Sequence, residues 1–191
     1  MISPEFKRME TERLIIRETS EEDCALFAEW ERDPSVTRFF TMDSDRSYDD
    51  ILSEVRAEKT DPSCQYFTIL LKETGETAGR IMLSRIDRHY DSLDITRIYI
   101  GNTELRDRHL GGEALKKMLS YAFSDLGMER VTIDHFAFNE RADHLYRKLG
   151  FSDEGNMRHA GKKDGVYYDL HLKSILREEY EKKYLSSAKG L

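Results

Sequence analysis

The chain of 191 residues is poor in cysteine, with only Cys24 and Cys64. The two thiols lack metal-ligand spacing and are too few for a disulfide scaffold, so no metal is expected and a reducing, cytoplasmic setting fits. No apolar run approaches the roughly 20 residues that a membrane span requires, so no membrane partner is expected. Basic residues are outnumbered, 30 Lys and Arg against 37 Asp and Glu, and the formal charge of −7 argues against general nucleic-acid binding. The first eight residues, MISPEFKR, lack the apolar stretch of a secretory signal and read as a loose extension or an expression remnant. That leaves 9–191 as a single domain, long enough for one well-buried core. No internal repeat, low-complexity segment or change of composition interrupts it.

What is present is organised around 105–123, LRDRHLGGEALKKMLSYAF. Apolar pairs recur at a step of four, Ala114/Leu115, Met118/Leu119 and Ala122/Phe123, which is the stripe a helix buries against a sheet. Just upstream lie Arg106, Arg108, His109, Leu110, Gly111 and Gly112. A basic, glycine-bearing turn that enters a helix offers unpaired amides and the positive end of the helix dipole, a site for phosphate. A merely solvated basic turn is the alternative.

The remaining pattern alternates strands and helices. Thr11 to Glu18 reads as a strand handing over to a helix that starts near Ser20 and carries Leu26, Phe27 and Trp30. Val36 to Phe40 and Ser47 to Lys59 read as two further helical pieces. After Asp61-Pro62 the period changes to two, giving strands over 66–71, 78–86 and 93–100. Arg130 to Phe136 follows the organising helix and must run parallel to the strand before it, because a helix crossover intervenes. Asn139 to Leu149 is a helix ended by Gly150. Strands over 151–159 and 166–172, and a charged helix over 174–185, complete an α/β three-layer domain with a mixed sheet.

Two stretches resemble the GNAT superfamily of acetyl-CoA-dependent N-acetyltransferases, in particular the Rim-type branch that acetylates ribosomal-protein N-termini. Arg106-Asp107-Arg108-His109-Leu110-Gly111 is similar to that family's Arg/Gln-x-x-Gly-x-Gly/Ala turn, which receives the coenzyme A pyrophosphate. Asn139 to Phe151, with Ala142, Tyr146 and Gly150 in step, is similar to its Asn-x-x-(Ser/Ala)-x-x-x-Tyr-x-x-x-Gly-Phe helix. The resemblance implies a GNAT-like fold, a mixed and mostly antiparallel sheet with a central splayed parallel strand pair, and acetyl-CoA as co-substrate. His109 stands where the family has glycine; its side chain either crowds the close approach of backbone to phosphate or adds a donor to it.

The same resemblance assigns roles. The backbone around Ile98 to Ile100 would face the thioester oxygen, where a preorganised donor is worth about 3 kcal/mol. Asn139 would cap its helix and bond the pantetheine arm. Tyr146 would be the general acid: a phenol of pKa about 10 is protonated at neutral pH and can serve a thiolate whose conjugate acid lies near 8.5. Asp94 is the leading candidate for general base. Asp134 and His135 point to opposite faces of their strand, so at most one of them looks into the site. For the acceptor pocket, Phe39, Phe40, Tyr66, Tyr167 and Tyr168 offer an aromatic wall and Asp169 an acidic contact.

The expected acceptor is a primary amine, either a protein or peptide α-amine or, slightly behind it, a polyamine or aminoglycoside. The expected alternative is a non-catalytic acyl-CoA-binding regulatory module. The charged helix at 176–184 offers a face for a homodimer, with a solvated helix as the alternative.

Overall fold

The computed structural model describes residues 8–42 and 45–186. The expected extension at 1–8 lies outside the described residues except for Arg8, and the chain is already in the sheet at Met9. Strand β1 (Met9–Glu10) pairs with β2 (Leu14–Glu18), which pairs in turn with β3 (Gln65–Leu71). A meander continues through β4 (Thr77–Asp87) and β5 (Ser92–Ile100). Beyond a crossover come β6 (Arg130–Phe136) and the hairpin β7 (Ser152–Lys163) and β8 (Val166–Leu176). The eight strands lie in the order β1-β2-β3-β4-β5-β6-β8-β7, and the pair β5–β6 is parallel.

Helices cover both faces because β3 and β4 present apolar residues to both. On one side α1 (Cys24–Trp30) and α3 (Tyr48–Glu58) pack Phe27, Trp30, Ile51 and Val55 over Tyr66, Met82 and Tyr99. Ser47 caps α3, its hydroxyl accepting from the Asp50 amide while Asp50 reaches back to the Ser47 amide. The short α2 (Pro34–Thr37) begins at the proline, whose fixed φ suits a first helical turn, with Asp33 as its cap. On the other side α4 (Leu110–Ser120) and α5 (Glu140–Leu149) bury Ala114, Leu115, Met118, Leu119, Tyr146 and Leu149 against Ile69, Ile81, Leu83, Val131 and Ile133. Each fully buried Leu, Ile or Phe contributes about 1.5–3 kcal/mol.

The C-terminal helix starts later than its charge pattern suggests. Ser174, Ile175 and Leu176 belong to β8, paired with Thr132, Val131 and Arg130, because Ile175 is fully buried in the α4-side core. The helix, α6 (Arg177–Tyr184), stacks Tyr180 on Phe123 at 4.8 Å and donates the Tyr184 hydroxyl to the Leu149 carbonyl. Among the described residues no helix is long and apolar enough to cross a membrane.

Two features of β5 shape the site. Its ladder with β6 runs from Ser92↔Arg130 to Ile95↔Ile133 and stops, although β5 continues to Ile100 and β6 to Phe136. The strands therefore splay, and the β6-facing edge of β5 from Thr96 onward has no strand partner among the described residues. The cause is local: Met82 pairs with Arg97 and Leu83 with Ile95, so Thr96 is an extra residue on β5, a bulge that bends the strand. A bulge also inverts the pleat. Asp94 faces the α1 and α3 layer, and beyond Thr96 that face passes to Arg97 and Tyr99, while Ile98 and Ile100 join the α4 side.

Candidate active site

The parting of β5 and β6 opens a cleft of about 1360 Å³ that passes between the two strands. Of the residues singled out in the sequence, Ile98, Ile100, Arg106, His109, Leu110, Gly111, Gly112, Asn139 and Tyr146 line it, whereas Arg108 and Asp94 do not.

At one end stands the turn into α4. His109 occupies the N-cap position with φ 60° and ψ 18°, the left-handed region that glycine adopts without cost, and no side chain among the described residues caps the helix. Its first amides are thus left to an anion. A Cβ built on Gly111 would meet only Ile100, at 3.9 Å, so the backbone there is open to a ligand. The turn is pinned from outside. Arg13 donates to the Arg108 carbonyl at 3.0 Å and pairs with Glu113 at 2.7 Å, tying the helix start to the residue just before β2. Arg106 reaches across to the Ser35 hydroxyl at 3.1 Å, and Arg141 pairs with Asp107 at 2.8 Å. Cationic side chains of Arg106, Lys116, Lys117, Arg141 and Lys148 exceed the carboxylates at this end. A nucleotide diphosphate fits the charge and the free helix start.

In the middle, α5 contributes Asn139 and Tyr146. The Asn139 side chain caps the helix, accepting from the Ala142 amide at 3.2 Å. Tyr146 is 7% exposed, and its hydroxyl makes no hydrogen bond to the described residues. Burial, and then the nearby charge of Asp134, push its phenol well above the ordinary range, so it keeps its proton at neutral pH.

On the opposite face of the sheet stands Asp134. Burial, and secondarily the charge of Asp94, raise its carboxyl to about 6. Asp94 itself is 4% exposed and held by β6, its carboxylate accepting from the Thr132 hydroxyl at 2.6 Å. The sequence puts Asp94 first among the bases; the structure puts Asp134 on the cleft wall and Asp94 behind it. His135 turns to the α5 side, as the alternation along β6 requires. Its ring lies 5.7 Å from that of Tyr146, and burial lowers its pKa, so it is neutral at pH 7.

His135, Asp143 and His171 bring ligand-type atoms within 4.8 Å of one another. The fully buried Lys173 places its ammonium 2.6 Å from the Asp143 carboxylate, so a side-chain charge already fills the position a cation would take.

The far mouth is largely apolar, with the Arg38 guanidinium among its rings. Phe39, Phe40, Phe136 and Leu170 line it. Of the other residues expected there, Tyr168 packs on Phe136 at 5.1 Å, Tyr66 is buried beneath Arg80, and Tyr167 stacks on His159 at the surface. Asp169 is taken up by the Asn156 side chain and the His159 amide.

Below the bulge lies a buried charge network with no sequence signature. Glu31 accepts from Arg80 and from the Tyr99 hydroxyl, each at 2.9 Å, and Arg46 and Arg97 complete the cluster with Glu54. It fixes Tyr99 and Arg97, the residues that follow the extra Thr96.

Residues 13–152 match a family profile described as acetyltransferase (GNAT) domain. A Bacillus licheniformis protein named uncharacterized N-acetyltransferase p20 is 27% identical over 177 residues, 89% of this chain and 96% of that protein. The spermidine N(1)-acetyltransferase of Escherichia coli K12 is 25% identical over 165 residues, 86% of this chain and 87% of that one. Among solved structures, a Vibrio cholerae spermidine N-acetyltransferase in complex with CoA and spermine superposes with a TM-score of 0.82 at 19% identity, covering 89% of this chain and 99% of that one. That is a likeness of fold.

Proposed function

The chain belongs to the GNAT acetyltransferase family, and on that premise we propose that it moves the acetyl group of acetyl-CoA directly to a primary amine, with the α-amine of a protein or peptide as the preferred acceptor class. The observation that carries the reading is the gap between β5 and β6, with the Tyr146 phenol reached from the α5 face and the Asp134 carboxyl from the other. Acid and base meet only through that gap.

The chain's residues then divide the work. The uncapped start of α4, with Arg106 and His109, holds the pyrophosphate, and Asn139 holds the arm. The unpaired edge of β5 near Ile98 to Ile100 supplies a backbone N–H to the oxyanion that develops on the acetyl oxygen. Asp134 takes a proton from the attacking amine; a base near pH 6 is ionised at neutral pH yet basic enough to assist. Tyr146 offers its proton to the departing sulfur, and its raised pKa makes it a hydrogen-bond donor first and a full proton donor only to a poorly solvated thiolate. An α-amine, with pKa about 7.7–8.0, is neutral for a sizeable fraction near pH 7 and needs only modest help.

The test is calorimetric binding of acetyl-CoA, followed by thiol release with α-amine peptides and with spermidine. Binding together with amine-dependent thiol release supports the reading. Binding without release by any amine replaces it with an acyl-CoA-binding regulatory role.

A further inference from the structure

The acceptor end of the cleft carries an aromatic platform drawn from three parts of the chain. Phe136, on the same strand face as Asp134, stacks on Phe138 at 5.1 Å with the rings 14° apart, and Tyr168 packs on both, at 5.1 and 5.7 Å. Phe39, from the segment after α2, closes on Phe138 at 5.9 Å. The rings run from the interior, where Phe136 is 1% exposed, to the surface, where Phe138 is 50% exposed. A half-exposed phenylalanine backed by three further rings is a ready stacking face; Phe138 and Tyr168 stand outside the cleft lining and adjoin it through Phe39 and Phe136, which line it.

The charges at this end are as telling. Of the carboxylates that line the cleft, Glu10, Glu12, Asp107 and Glu113 belong to the segments around the start of α4, which leaves Asp134 for this end, while Asp45 and Asp50 line a separate pocket that shares Thr41. The guanidinium of Arg38 also lines the acceptor end, 5.1 Å over the Phe39 ring. A polyamine keeps further ammonium groups charged while one nitrogen reacts, and each of them needs an acidic partner as it leaves water. This mouth provides a partner for one nitrogen and repulsion from Arg38 for the rest.

We infer that the acceptor is a monoamine with an apolar, preferentially aromatic body, seated on the Phe39, Phe136, Phe138 and Tyr168 platform with its nitrogen toward Asp134. The inference rests on the amine-acetylating reading of the cleft and narrows its substrate class. Two sources share the chemistry: a peptide with an aromatic first residue and a free arylalkylamine.

The test is equilibrium binding to the full-length protein, with CoA present, of a phenylalanine-first peptide, phenethylamine and spermidine, with thiol release from acetyl-CoA followed in parallel. Both aromatic amines bind more tightly than spermidine, and whichever binds more tightly identifies the source. Phe138→Ala weakens both by about tenfold and leaves spermidine unchanged, while Phe138→Tyr, which keeps the ring, restores them. Tighter binding of spermidine, or indifference of the aromatic amines to Phe138→Ala, overturns the inference. Ring-dependent binding without thiol release leaves the inference standing and sinks acetyl transfer; thiol release with spermidine preferred does the reverse.

Discussion

Asp94 and Asp134 stand on the same face of the two strands that part, one held inside the ladder by Thr132 and the other at the cleft wall. Burial first, and the Asp94 charge second, push the Asp134 carboxyl up to about 6. The rate of acetyl transfer should therefore rise with pH through about 6 as Asp134 ionises. Asp134→Asn removes that limb from the kcat/KM profile and lowers kcat by about 10²–10⁴. Asp94→Asn keeps activity and moves the limb to lower pH, because it removes only a neighbouring charge. An unchanged limb in Asp134→Asn would assign the base elsewhere.

The same shift has a cost in stability. The folded-state pKa of Asp134 lies above its unfolded value, so the folded chain binds this proton more tightly. The carboxyl costs nothing below pH 3.8, and its penalty grows until the pH passes about 6. At pH 7.5 Asp134→Asn should be more stable by at most about 3 kcal/mol. Thermal unfolding reads this as a rise of about 2–4 °C per kcal/mol, which shrinks toward zero as the pH is lowered to 4.

Tyr146→Phe removes a hydroxyl that no described residue bonds, so the melting temperature should hold and acetyl-CoA should bind as before. The loss appears in kcat, by about 10²-fold or more. A comparable loss of coenzyme binding would make Tyr146 a packing residue.

His109→Gly relieves a left-handed backbone at φ 60° and should stabilise the fold by about 1 kcal/mol, measured by urea unfolding. Calorimetry on the same variant separates the two effects of the imidazole: tighter acetyl-CoA binding identifies crowding, weaker binding a lost donor.

Glu31 and Arg80 are both fully buried and joined at 2.9 Å. Glu31→Ala leaves the guanidinium with Glu54 as its remaining carboxylate and should cost about 3–5 kcal/mol of unfolding free energy. Since Tyr99 and Arg97 lose an anchor beside the bulge, surviving activity should fall more than coenzyme binding.

The sequence exposed what periodicity and local chemistry control. The apolar step along α4, the Asn139 cap, the Gly150 stop and the parallel relation forced by the crossover all reappear in the structure. Cross-strand geometry was hidden. The extra Thr96 has no local signature, since a bulge is a relation between β4 and β5, yet it reverses the pleat and moves Arg97 and Tyr99 to the face of Asp94. That Asp134 lines the cleft and Asp94 does not likewise depends on where the β5–β6 ladder stops. Ser174 to Leu176 read as helix because their charged sequel is helical, while burial of Ile175 keeps them in β8. The network of Glu31, Glu54 and three arginines is scattered over more than sixty residues and converges only in the fold.

Direct transfer through the gap is tested most plainly by following the acetyl group itself. With acetyl-CoA and a phenylalanine-first peptide, mass spectrometry should find one acetyl on the peptide's α-amine, an equal amount of free thiol, and a protein of unchanged mass before the amine is added. Acetyl trapped on the protein, or a peptide left unmodified while acetyl-CoA stays bound, would contradict the account.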